Sequence, residues 1–178
     1  MKKRNQYLIV IAIIVLVYSF GFYIAKNQEP LEVTYPNEDA ILDNEDFMIN
    51  FPDGKLAVGL SDWFEVENVL PEGKMLGMST VYSPKDIDCL LSFTKKENIL
   101  YKLHLENTDI ITNRNIKTGD PFSKVIDAYG PNYSSVSKKG NKNNFDATYG
   151  ADNNNNIVFQ VRNNVVNKII LQSNPILK

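Results

Sequence analysis

An unbroken apolar run opens this chain, and shorter alternating or helically spaced runs follow it. Behind the basic cluster Lys2-Lys3-Arg4, residues Tyr7 to Ala25 carry no charge. As a helix, those nineteen residues rise far enough to cross a hydrocarbon core of about 30 Å. Residues 1–26 are therefore predicted to be a cytoplasmic tip and a transmembrane signal anchor. Tyr18, Phe20, Phe22 and Tyr23 lie toward its far end, where aromatic rings favour the interface. The Lys/Arg excess before the span directs the N-terminus inward and the remainder outside, at a cell membrane crossed once. Gly21 to Lys26 holds no A-x-A-like cleavage site, and no cysteine follows for lipid attachment, so the leader is expected to stay.

Residues 27–46 hold Pro30, Pro36 and seven acids with little periodicity, and read as an acidic stalk. Two similar units are then expected, over 47–107 and 108–178. In the second, Asp120 is placed to cap a helix and Pro121 to open it. Phe122, Val125, Ile126 and Tyr129 share one helical face, and Gly130-Pro131 end it. Strands are predicted at 145–149, 157–162 and 165–172, with Asn163-Asn164 as a tight hairpin turn. The stretches 134–144 and 152–156 read as polar loops. The first unit repeats this order more faintly. Phe47 to Phe51 alternates ahead of the turn Pro52-Asp53-Gly54, and the stretch Leu56 to Pro71 then holds Gly59, a capping residue, a short amphipathic helix and Pro71 at its stop. Strands follow at 78–83, 87–95 and 99–106. The fold class expected is α+β: an N-terminal transmembrane helix, then two tandem repeats of a short helix packed on antiparallel strands.

Charge narrows the partners. Beyond the span the chain keeps fifteen basic residues against twenty-one acidic ones, a formal net of −6. That acidity argues against nucleic acid. The single cysteine, Cys89, excludes an internal disulfide. With Lys well ahead of Arg and Asn abundant, it suggests a bacterium with one membrane.

The lone cysteine and lone histidine invite a nucleophile–base pair, but strand register opposes it. Pairing Phe93 with Tyr101, Leu91 with Leu103 and Cys89 with Leu105 keeps the apolar set on one face and turns His104 to the other. Asp152 to Asn156 matches the opening of a calcium loop, yet Ile157 stands where its glycine belongs and Asn163 where its closing glutamate belongs. Gly119 precedes a helix, but Asp120 and Pro121 there make a poor anion site. No phosphate loop, zinc-ligand set or nucleophile elbow is present. No catalytic, cofactor or metal residue is expected. Trp63 and Tyr101 read as core. Tyr133 and Tyr149, beside polar loops, are the candidates for contact with a protein partner.

The pattern Gly119-Asp120-Pro121-Phe122…Val125…Tyr129-Gly130-Pro131, followed by antiparallel strands, resembles the repeat of the β-lactamase-inhibitor-like superfamily, which includes small outer-membrane lipoproteins. Gly59, Val66 and Leu70 are the fainter counterparts. The resemblance spans about Lys55 to Leu171. It implies small helices on a curved antiparallel sheet, and work by binding proteins rather than by catalysis. This chain departs from the lipoprotein members in lacking their lipid-anchored cysteine.

The function expected is a membrane-anchored, extracytoplasmic protein-binding or envelope-interaction module, not an enzyme, with the sheet face opposite the helices free for a partner. The alternative is an envelope hydrolase using His104 or surface carboxylates such as Asp86 and Asp88. A sensor domain signalling through another membrane protein is a third reading.

Overall fold

The structure is a computed structural model that describes residues 13–19, 21, 23, 29–150 and 155–173. The chain divides into two units, 1–31 and 32–178. In the first, residues 13–19 (α1) are helical. Among the described residues no helix is long and apolar enough to cross a membrane. This overturns the single-pass anchor expected over 7–25, and with it the cell-membrane placement and the inside–outside orientation. Residues 7–12, 20, 22, 24 and 25 of that stretch lie outside the described residues.

The second unit is mostly antiparallel sheet. Its strands are β1 (Leu31–Thr34), β2 (Met48–Phe51), β3 (Gly54–Ala57), β4 (Gly73–Met75), β5 (Val81–Pro84), β6 (Cys89–Phe93), β7 (Leu100–Glu106), β8 (Ser134–Lys138), β9 (Phe145–Tyr149), β10 (Asn155–Arg162) and β11 (Val165–Ser173). Nine of them form one sheet in the order β1-β8-β9-β10-β11-β7-β6-β5-β4, and β2-β3 form a separate hairpin. The helices are short: a 3-10 turn at Asn44–Phe47, α2 at Trp63–Val69 and α3 at Phe122–Tyr129. The α+β expectation of two tandem helix-on-strand repeats is thereby corrected. The reason is β11, which pairs with β10 on one side and with β7 on the other, from Lys168↔Glu106 to Gln172↔Lys102. One sheet runs through both halves. Residues 27–46, expected as a stalk, contribute β1 and most of the 3-10 turn.

Strand alternation sets the core. One inward row runs Leu91–Leu103–Leu171–Ile157–Tyr149 across five strands, each residue fully buried. The next runs Cys89–Leu105–Ile169–Phe159–Ala147. The β6–β7 register is as read from the sequence at Cys89↔Leu105 and Leu91↔Leu103. A bulge then pairs Phe93 with Leu100 rather than Tyr101. At the β10–β11 turn, Asn163 and Asn164 have φ of 54° and 61°, the left-handed pair that a two-residue hairpin requires.

Helix α3 buries Phe122, Val125 and Tyr129, and Gly130 closes it at φ 86°, its N–H donating to Ile126 O. Its start differs from expectation. Pro121 occupies the cap without a side-chain bond. The Asp120 carboxylate instead accepts from Lys117 N–H and Lys124 Nζ, both at 2.9 Å. Backbone bonds Gly119 N–H to Val166 O and Phe122 N–H to Asn164 O staple this segment to the start of β11.

Candidate functional site

The outward face of the sheet is the surface the sequence left free for a partner. Its middle row is Leu90–His104–Ile170–Val158–Thr148. The row beside it is Glu106–Lys168–Gln160–Asp146. These charges are largely satisfied by one another. Lys168 pairs with Glu106, Arg162 Nη1 lies 3.1 Å from Asp146, and Gln160 Nε2 donates to Asp146 at 3.2 Å. None of these nine positions is aromatic. A flat mixture of aliphatic stubs and self-paired charges offers few anchors for a tight interface.

His104 sits half-buried on this face rather than solvated. Its Nε2 is buried and makes no hydrogen bond. Burial depresses its pKa, and Lys102 and Lys168 push the same way against Glu106. The unfolded chain therefore takes up a proton first as pH falls through about 6.5, and stability is lost from there downward. Chemical denaturation should show a falling midpoint between about pH 6.5 and 5, above the range in which carboxylates titrate. His104→Gln should flatten that slope, and an unchanged slope in the variant would assign it to other groups.

Cys89 is buried on the opposite face, where desolvation first and Asp88 second push its thiol up to about 12. The sheet thus keeps Cys89 and His104 apart, as the register reading required. Asp86 and Asp88 are exposed in the β5–β6 turn. Among the described residues, no three His, Cys, Asp or Glu side chains gather where they could hold a metal ion. Asp152 to Asn154 of the calcium-like run lie outside the described residues.

The two aromatic candidates separate. Tyr149 is fully buried, with its hydroxyl donating to Gly130 O at 2.9 Å, and it offers no surface to a partner. Tyr133 is half-exposed and leans on Phe122 at 5.2 Å and Tyr149 at 5.7 Å.

A different surface carries the exposed apolar groups. Strand β2 alternates, with Ile49 and Phe51 turned inward and Met48 and Asn50 outward. Helix α2 lies across the β2–β3 hairpin. Asp62 caps it by accepting from Glu65 N–H at 2.9 Å. Val66 is buried, and Trp63 packs edge-on against Tyr82 at 5.1 Å and Phe93 at 5.4 Å. Gly54 permits the close approach, since a Cβ there would stand 2.7 Å from Val69 Cγ2. With one side of the helix so anchored, Phe64 points away, 72% exposed. Between helix and hairpin runs a groove of about 400 Å³, lined by Met48, Leu56, Ala57, Leu60 and Val69, with Lys55, Glu65 and Asn68 at its rim. Leu60 is 59% exposed and Met48 38%. Sequence reading passed over this site because Phe64 falls within a segment read as a short amphipathic helix, and Leu60, just ahead of it, carries no signal of its own. Only the position of Trp63 and Val66 shows that the helix's buried side is already filled.

No family model, curated protein or solved structure matches the chain. The likeness read from Gly119 to Pro131 stands on those residues alone.

Proposed function

We propose that this chain is a non-enzymatic protein-binding module that takes apolar side chains of its partner into the groove between α2 and the β2–β3 hairpin. What supports the reading is the exposure of Leu60 and Met48 in the lining of that groove, and of Phe64 on α2 next to the rim residue Glu65. Three large apolar side chains left in water on one rigid frame are costly unless they meet something. An aromatic anchor beside a pocket, ringed by a few polar groups, is the usual make-up of a binding hot spot. The resemblance to the β-lactamase-inhibitor-like repeat points toward binding as well.

Because Phe64 is exposed, Phe64→Ser and Leu60→Ser should each leave folding stability within about 0.5 kcal/mol of the parent. A photo-crosslinking residue at position 64 should trap a discrete partner in the producing cell, and Leu60→Ser in the same chain should abolish the adduct. A crosslinker at exposed Lys85 serves as control. Equal recovery of the same proteins from position 64, from position 85 and from the Leu60→Ser chain would refute a groove-specific interaction.

A further inference from the structure

We infer that a second, smaller cleft, on the helix-bearing side of the sheet near β1, is a binding site for one ring of a neutral saccharide. The cleft holds about 250 Å³ and is lined by Glu32, Thr34, Tyr133, Ser135, Ser137, Gly140, Asn141, Lys142 and Phe145. Ser137 is in register with Phe145, and Ser135 with buried Ala147. Those pairings place the cleft where the inward face of the sheet continues past the cover of α3.

Two features define the ligand. One is a fixed aromatic floor. Tyr133 and Phe145 are nearly parallel, 17° apart with centroids at 6.4 Å. Buried Phe122, from the first turn of α3, stands edge-on to both, at 5.2 Å and 4.9 Å with 86° between planes in each case. Tyr149 supports Tyr133 from below at 5.7 Å. Rings locked this way lose little freedom on binding. The other feature is a wall of small groups that donate and accept: three hydroxyls and the Asn141 amide. The Thr34 and Ser135 hydroxyls already lie 2.7 Å apart, and Asn141 Oδ1 is held by Asn144 N–H at 3.1 Å.

A purely apolar ligand would strand those polar groups. An anion would meet Glu32, and a cation Lys142; the wall's net charge is zero. A pyranose fits both features. Its C–H face lies on aromatic rings, and its rim of hydroxyls needs partners that both give and take hydrogen bonds. The cleft is smaller than the usual range of about 300–1,000 Å³ for whole ligands, which suits a single ring with the rest of a glycan running out into solvent. This inference rests on Tyr133 and is independent of the groove at Phe64.

The test is an amide NMR titration of the full chain with two probes, chitotriose and maltotriose. At least one should give saturable shifts confined to Tyr133, Ser135, Ser137, Asn141 and Phe145, with an affinity of about 0.1–5 mM. Tyr133→Ala should weaken binding at least about tenfold and Tyr133→Phe by no more than about threefold. Should Tyr133→Ala not fold, Ser137→Tyr fills the cleft from β8 and should abolish the shifts. The inference is overturned if neither probe gives saturable shifts up to about 20 mM, if the shifts map elsewhere, or if Ser137→Tyr binds as the parent does.

Discussion

Asp46→Ala should cost about 3–5 kcal/mol of folding stability, enough to halve that of a typical domain. Asp46 is 1% exposed, and its carboxylate grips Arg114 through two bonds, 2.6 Å to Nε and 2.7 Å to Nη2. The same carboxylate accepts from Asp43 N–H at 2.9 Å, which closes the 3-10 turn. The guanidinium also donates to Ala128 O and Ile41 O and lies 4.6 Å over the Tyr129 ring. Removing the carboxylate leaves a cation, 29% exposed, facing that ring without its bonded counter-charge. Arg114→Ala leaves the opposite orphan, a buried carboxylate, and should cost a similar amount. The double variant should lose clearly less than the sum, since neither charge is then stranded. Asp46→Asn, which keeps shape and one acceptor, should fall between. Urea denaturation of these four variants beside the parent reads all of this. A loss below about 1 kcal/mol for Asp46→Ala would mean the pair is screened rather than structural.

That ion pair also marks where sequence reading stops. Asp46 was one of seven acids in a stretch without periodicity, and Arg114 one basic residue in a loop; nothing local ties positions 68 apart. What was legible was local. Alternation gave the Cys89–Leu105 and Leu91–Leu103 register, because a slip of one residue would split the apolar set. Paired asparagines gave the β10–β11 turn, and the spacing Phe122, Val125, Tyr129 gave the buried side of α3. The bulge at Ser92/Phe93 had no signal. Nor did β8, whose Ser134-Ser135-Val136-Ser137 has too few apolar positions to alternate, nor three-residue β4 at the far edge.

Site reading divided along the same line. Tyr133 and Tyr149 look alike in sequence, each beside a polar loop. Tyr149 lies on the inward row of β9, so pairing buries it, whereas Tyr133 precedes β8 and keeps one side toward the cleft. Phe64 was hidden for the converse reason: apolar residues on a short helix are ordinarily core, and its exposure is decided by which neighbours Trp63 and Val66 find; Leu60 lies in the turn before that helix. Both corrections come from non-local packing, which a single chain's periodicity does not encode.

Leu171→Ala tests the largest correction, one sheet in place of two tandem units. Leu171 is fully buried on β11, flanked by Leu103 on β7 and Ile157 on β10. Truncation removes the transfer energy of the lost carbons and leaves a cavity between strands that cannot close without shifting both neighbours, a loss of about 2–5 kcal/mol. The size matters less than where the loss is felt. If the two halves were tandem units, amides of β9 and β10 would weaken while those of β5 and β6 kept their protection. With β11 joining them, the inward row from Leu91 to Tyr149 is one layer, and opening it exposes both ends together. Native-state hydrogen exchange should therefore show Leu91, Leu103, Ile157 and Tyr149 losing protection by equal amounts, each matching the fall in global stability. Unequal losses, confined to one side of the β7–β11 seam, would show that the halves unfold separately despite sharing a sheet.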